Sequence, residues 1–207
     1  MRKRKEYTDP KVIGVTGGIG SGQTTVCEFF RKLGCKTINV DKKAKEVIRR
    51  NRLVQEELKK EFGKNIFYRN RQLNRKLLAQ IVFEDEHKLQ KLNRIVHPRM
   101  VEYLVEEMEE ARFSGKYPLV IVDAALIYEI NIEQLFDAVI VVFANMRQRI
   151  QRVVTRDKMK KEEVVARISK QIPLEDKKKW ADYIVDNRGE ISDIKNQVRK
   201  IFDELVD

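Results

Sequence analysis

The sequence predicts an α/β fold, a five-stranded parallel sheet with helices on both faces and two helical attachments. Three observations point there. Apolar, β-branched runs of strand length alternate with amphipathic stretches, the order that builds a parallel sheet covered on both faces. A glycine-rich turn follows the first of these runs and opens a helical pattern. Two of the intervals between runs are far longer than a simple crossover needs.

Taken in order, residues 1–10, "MRKRKEYTDP", are basic and lead into no long apolar run, so a solvated tail is expected there. "KVIGVTG" reads as the first buried strand and "CKTINVD" as the second, with "TTVCEFFRKL" as the helix between. Residues 42–117 are largely helical and highly charged, with a separate helical domain expected over 60–115. "YPLVIVDAAL" and "DAVIVVFAN" are the third and fourth strands. Residues 145–178 form the second helical attachment, arginine-rich at its start and holding Pro173 near its end. "ADYIVDN" is the fifth strand, so the core is expected over 11–59, 116–144 and 179–207.

A chain of 207 residues suits one domain with insertions, and 42% hydrophobic residues can fill its core. Its 43 Lys and Arg against 32 Asp and Glu leave a net charge of +11, which favours anionic partners. The basic residues are scattered, as on solvated helix faces, and no nucleic-acid-binding motif accompanies them. Nucleic acid is therefore not an expected partner. Apolar runs such as "AVIVVFA" are too short to cross a bilayer, so neither is a membrane. Cys27 and Cys35 are too few for a disulfide framework and are expected as buried, reduced thiols in a cytoplasmic protein. The Lys and Glu enrichment is of the kind found in thermophile proteins. His87 and Trp180 are read as structural, and the pattern specifies no oligomeric state.

The turn carries the chemistry. Gly17, Gly22 and Thr24 fall at the spacing of the phosphate-binding loop G-x-x-x-x-G-K-[ST], with Gln23 where that pattern has lysine. Glycines let successive backbone N–H groups converge on phosphate oxygens, and the following helix presents its positive end. A threonine hydroxyl at position 24 suits a Mg²⁺ held between phosphates. Asp41 stands at the carboxyl end of the second strand, beside the loop, where a carboxylate can take the proton of an attacking hydroxyl or simply cap the following helix. Asp123 ends the third strand as a Walker-B carboxylate does, placing it on the metal through water, or as a strand-end cap.

With these residues in view, the chain closely resembles the dephospho-CoA kinase family. That family's loop reads GGIGSGKS or GGIGSGKT, against "GGIGSGQT" here, and its second-strand motif reads D-A-D-x-x-A-R-x-V, against "NVDKKAKEV". The likeness continues through "FGKNI", "LNRKLLAQIVF", "KLNRIVHPRM", "VDAALIYE", "QRVVTRD" and "ARISKQIPLEDKKKWADYIVDNRG". The resemblance implies a P-loop NTPase fold and transfer of the ATP γ-phosphoryl group to the 3′-hydroxyl of dephospho-CoA, with ATP and Mg²⁺ as the cofactors. By that resemblance Asp41 is the general base. Gly18, Ile19, Gly20, Ser21, Gly22, Gln23, Thr24 and Thr25 hold ATP. Thr24 and Asp123 serve the metal. Arg75 and His97 lie in the domain, 60–115, that receives the acceptor. Arg152, catalytic, and Arg156 belong to a lid over 145–178, and Asn187 lies toward the adenine.

Some of these residues have a second local reading. His97-Pro98 also reads as a helix break, and Arg152 with Arg156 as one solvated helix face. Two departures matter: Gln23 removes the loop cation, and Asn39 replaces the first aspartate of D-A-D. Lys42, Lys43 or a lid arginine are candidates to compensate. Two other functions stay open, a nucleotide- or CoA-binding relative without transfer activity and a kinase of another nucleotide-like acceptor.

Overall fold

The computed structural model describes residues 7–83 and 85–207. Its sheet has five parallel strands in the order β2-β3-β1-β4-β5. They are β1 (Lys11–Gly17), β2 (Lys36–Asn39), β3 (Leu119–Asp123), β4 (Ala138–Phe143) and β5 (Tyr183–Asp186). Every residue of β3 and β4 is buried, and so is all of β1 after Lys11. Burial on both faces explains why these runs read as continuously apolar rather than alternating.

On one face pack α1 (Gln23–Lys32) and α9 (Ile191–Val206). Val26, Cys27 and Phe30 of α1 meet Ile194, Val198, Ile201 and Leu205 of α9 over Ile13, Val15, Ile121, Ile140 and Val142. The spacing in α9 is that of a single helical stripe. Both cysteines are free and buried. Burial pushes the Cys35 thiol up to about 12, and burial followed by the charge of Asp123 raises that of Cys27. On the other face Gly14 is obligatory, because a Cβ there would lie 2.7 Å from Phe136 Cδ2 and 2.8 Å from Ile127 Cδ1.

Two aspartates set the strand register. Asp137 accepts from Val12 N (2.6 Å) while its own N–H donates to Val12 O (2.8 Å). Asp182 repeats the device one strand over, on Val139 N (2.8 Å) and Val139 O (3.0 Å). Each residue extends the ladder by a pair of hydrogen bonds just before its strand begins.

The chain divides into two compact units, one of the chain up to Asn39 with Met108–Asp207, the other Val40–Glu107. The helical unit thus starts directly after β2. It contains α2 (Val40–Arg50), α3 (Arg52–Phe62), α4 (Arg75–Phe83) and most of α5 (Glu86–Phe113). Asn51 caps α3 by accepting from Val54 N at 3.1 Å. In the first unit, α6 (Met146–Asp157), α7 (Lys161–Ile168) and α8 (Leu174–Trp180) lie between β4 and β5.

Three expectations are corrected. The second strand ends at Asn39, so Asp41 stands in the first turn of α2 rather than at a strand end. Pro98 does not break a helix: α5 runs through it. Val96, Met100, Leu104, Met108 and Ala111 form one buried stripe across that point, and their packing outweighs a proline cost of about 3 kcal/mol. The tail is not wholly solvated either. Tyr7 N donates to Gly115 O at 3.2 Å, and Asp9 pairs with Arg112 at 2.7 Å, which holds the Asp9 carboxyl below its usual range. Residues 1–6 of that expected tail lie outside the described residues.

Phe30 is fully buried between α1 and the sheet. Phe30→Ala should lower the unfolding free energy by about 3–5 kcal/mol, measured by urea titration followed by circular dichroism.

Candidate active site

The loop between β1 and α1 is shaped by carbonyls held from below. Arg149, buried on α6, donates from Nε to Ile19 O at 3.0 Å. Arg152, one turn on, reaches Gly20 O and Ser21 O at 3.5 Å and Asn187 O at 2.9 Å. Asn187, buried after β5, donates from Nδ2 to Ser21 O at 2.6 Å. These donors hold the carbonyls of Ile19, Gly20 and Ser21, Ser21 N closes a turn onto Gly18 O at 2.9 Å, and the start of α1 follows at once, a helix terminus of the kind that binds anions. Gly20 and Gly22 adopt φ +79° and +93°. A Cβ on Gly22 would also collide with the Asn187 amide. Gly18 leaves room for the Arg149 guanidinium, whose burial lowers its pKa. Ser21 is buried, its hydroxyl without a hydrogen-bond partner among the described residues, and Thr24 is exposed at the helix start. Thr25 N closes the first turn onto Gly22 O at 3.0 Å.

Gln23 folds back onto the sheet. Its Nε2 donates to Val15 O at 3.0 Å and to Asp123 Oδ1 at 2.5 Å. Asn39 Nδ2 donates to the other oxygen, Asp123 Oδ2, at 2.7 Å. Strand register makes this possible, since Asp123 is paired with Val15 on one side and Asn39 on the other. Asp123 is buried.

The segment after α7 also reaches the loop: Gln171 Oε1 accepts from Ile19 N at 2.9 Å. Next to it, Ile172 N donates to Glu129 Oε1 at 3.1 Å. Lys177 of α8, fully buried, pairs with the same Glu129 oxygen at 2.7 Å and donates to Ala125 O at 2.9 Å. Desolvation lowers the Lys177 pKa while Glu129 works against that shift. Arg156 is placed differently, paired with Asp157 at 2.8 Å on an exposed face.

In the helical unit Asp41 is exposed. Lys43 pairs with Glu107 at 2.5 Å and Glu46 at 3.5 Å, which raises its pKa and engages the charge considered a stand-in for the loop lysine. Arg75 opens α4 and joins Lys45, Arg49 and Arg71 around a pocket of about 540 Å³. Four cationic side chains there suit an anionic ligand. His97 is half-buried in α5.

The first unit therefore assembles Gly18 to Thr25, Asp123, Arg152 and Asn187, while Asp41, Arg75 and His97 belong to the helical unit. Sequence reasoning missed Arg149, Gln171, Lys177 with Glu129, and the cations Lys45, Arg49 and Arg71. Arg149 carried a signal, lying three residues before Arg152 and so on the same helix face. Gln171 and Glu129 carried none, because their partners are distant in the chain.

Gly22→Ala should cost about 1–2 kcal/mol in backbone strain alone, read from denaturant midpoints. Burial holds the His97 imidazole below the ordinary 6.5. Folding thus favours the neutral ring, so this stability is fully present above the unfolded value and is lost as pH falls through the lower folded one. Thermal midpoints recorded from about pH 7.5 to pH 5 should fall less steeply in His97→Asn than in the parent protein.

Known proteins match this chain along nearly its whole length. A family model described as dephospho-CoA kinase matches residues 11–193. The dephospho-CoA kinase of Aquifex aeolicus is 39% identical over 196 residues, 94% of this chain and 97% of that protein. That of Bacillus licheniformis is 35% identical over 192 residues, covering 93% and 95%. Among solved structures, a Thermus thermophilus protein superposes with a TM-score of 0.81 at 34% identity, covering 95% and 98%. The dephospho-CoA kinase from Campylobacter jejuni reaches 0.72 at 28%, covering 94% and 96%. A shikimate kinase from Bacteroides thetaiotaomicron, 16% identical with a TM-score of 0.51, shares only the fold, that of the P-loop kinases. Sheet, loop and sequence agree, and the chain belongs to the dephospho-CoA kinase family.

Proposed function

We propose that the protein transfers the γ-phosphoryl group of ATP to the 3′-hydroxyl of dephospho-CoA, forming CoA and ADP. The observation that carries this is the family match over residues 11–193, with the glycine loop held open by α6 and Asn187. Among the described residues no helix is long and apolar enough to cross a membrane.

In this reading the loop amides from Gly18 to Thr25 and the start of α1 hold the triphosphate. Asp41 accepts the proton of the 3′-hydroxyl as its oxygen bonds to the γ-phosphorus and the bond to the β-phosphate oxygen breaks. The helical unit receives the acceptor, with Arg75 and the neighbouring cations near its phosphates and His97 close by. Residues 145–178 act as the lid, which excludes water. Arg152 supports the loop from beneath and stabilises charge on the transferring group, Arg156 swings from Asp157 toward the phosphates, and Asn187 borders the adenine.

Mg²⁺ fits the donors present. Among the described residues no group of three or more His, Cys, Asp or Glu side chains could hold a metal by itself. The ion of a nucleotide kinase needs only a hydroxyl, a carboxylate, water and phosphate oxygens. The exposed Thr24 hydroxyl would supply the first and the buried Asp123 carboxylate, through water, the second, and the ion would contribute positive charge against the phosphates.

A second reading, nucleotide binding without transfer, is favoured by Gln23, a neutral side chain whose amide is bound to Val15 and Asp123. A coupled assay with ATP and dephospho-CoA separates the two. CoA formation supports the kinase; nucleotide binding without product supports the binder. In the active protein Asp41→Asn should lower kcat by about 10²–10⁴-fold with the KM for ATP nearly unchanged.

A further inference from the structure

We infer that Asn39 is a positioning residue for loop position 23, acting through the Asp123 carboxylate that both side chains grip. The inference rests on the kinase reading for its relevance to turnover, and on three contacts for its physics. Asp123 Oδ1 takes the Gln23 amide at 2.5 Å, Asp123 Oδ2 takes the Asn39 amide at 2.7 Å, and Gln23 is further anchored on Val15 O at 3.0 Å. Both donors are neutral carboxamides. Two of the places where this sequence departs from the motifs of its family are thus the two hands on one carboxylate, sixteen residues apart in the chain and joined through the sheet.

The charges explain why the two positions belong together. A neutral amide at 23 cannot balance a second carboxylate at 39, because two carboxylates at hydrogen-bond distance disfavour joint ionisation. A neutral amide at 39 instead fixes the Asp123 plane, and Gln23 then meets an oriented acceptor. A lysine at 23 makes a charge-assisted bond to Asp123, stronger than a neutral one and less dependent on the Asn39 clamp. Residue 39 therefore matters much more when residue 23 is glutamine than when it is lysine. The pair sets where side chain 23 lies at the start of α1, and so what it can offer a bound phosphate.

A double-mutant cycle reads this coupling directly. The parent, Gln23→Lys, Asn39→Asp and the double variant are compared by the dissociation constant of MgATP, and by kcat and KM in the coupled assay. Asn39→Asp should weaken MgATP binding about tenfold in the parent and by less than about twofold in the Gln23→Lys background. The same change in both backgrounds would overturn the inference. Should Asn39→Asp not fold in the parent, Asn39→Ala replaces it, with loss of affinity expected beside Gln23 and rescue when Gln23→Lys is added. Equal losses would again overturn it. Coupling in MgATP affinity with no CoA formed by any variant sustains the inference and sinks the kinase reading. CoA formation with additive effects does the reverse.

Discussion

The glycine loop depends on one constraint, that the carbonyls of Ile19, Gly20 and Ser21 are held by side chains distant in the chain. A glycine-rich loop alone is permissive, since Gly20 and Gly22 reach their positive φ values at little cost and many others equally well. Selection among those conformations comes from Arg149, Arg152 and Asn187, which take the three carbonyls. Two of these donors are guanidinium groups one turn apart on α6, and the third follows β5. The loop is thereby tied to the elements on its far side, and its shape is as reliable as their packing. Arg149 is buried for this purpose, and its lowered pKa records the desolvation that placement carries.

The same logic gives the segment after α7 a hold on the loop. Gln171 occupies the Ile19 amide, Ile172 is held by Glu129, and Glu129 is held by the buried Lys177. Breaking a buried pair of this kind is costly because the surviving charge has no water to turn to. A nucleotide that claimed the Ile19 amide would release Gln171, while Lys177 and Glu129 would stay in place.

Much of this was legible in the sequence. Each of the five strands fell within its expected run; in β1, β3 and β4 burial on both faces leaves no polar alternation to confuse the pattern, while β2 and β5, at the sheet edges and only partly buried, were bounded by the turns around them. The loop was legible because its chemistry is local, with glycine, hydroxyl and helix start all inside eight residues. Asn39 and Gln23 could be singled out but not connected, since only the register of β1, β3 and β2 brings them to Asp123. Pro98 misled for a related reason. Local preference for a break competed with a buried stripe, from Val96 to Ala111, that only the packed structure displays. The bounds of the helical unit, Val40–Glu107, were hidden too, because α2 follows β2 with no linker to mark the change.

The absence of a loop lysine shifts the electrostatic work elsewhere. At the start of α1 the unpaired N–H groups amount to about half a positive charge, and this survives any side-chain change at position 23. Arg149 and Arg152 add full charges beneath the loop, but their N–H groups point at carbonyls, so they fix its geometry more than they compensate a phosphate. Lys43 is turned to Glu107 and Glu46. Arg156 differs from all of these. It is exposed and paired with its neighbour Asp157, a surface pair worth about 0–1 kcal/mol, so little is lost when that pair is given up. In the proposed kinase the backbone would grip the ground state, and Arg156, on the exposed face of α6, would be the charge left to follow the phosphoryl group as charge develops.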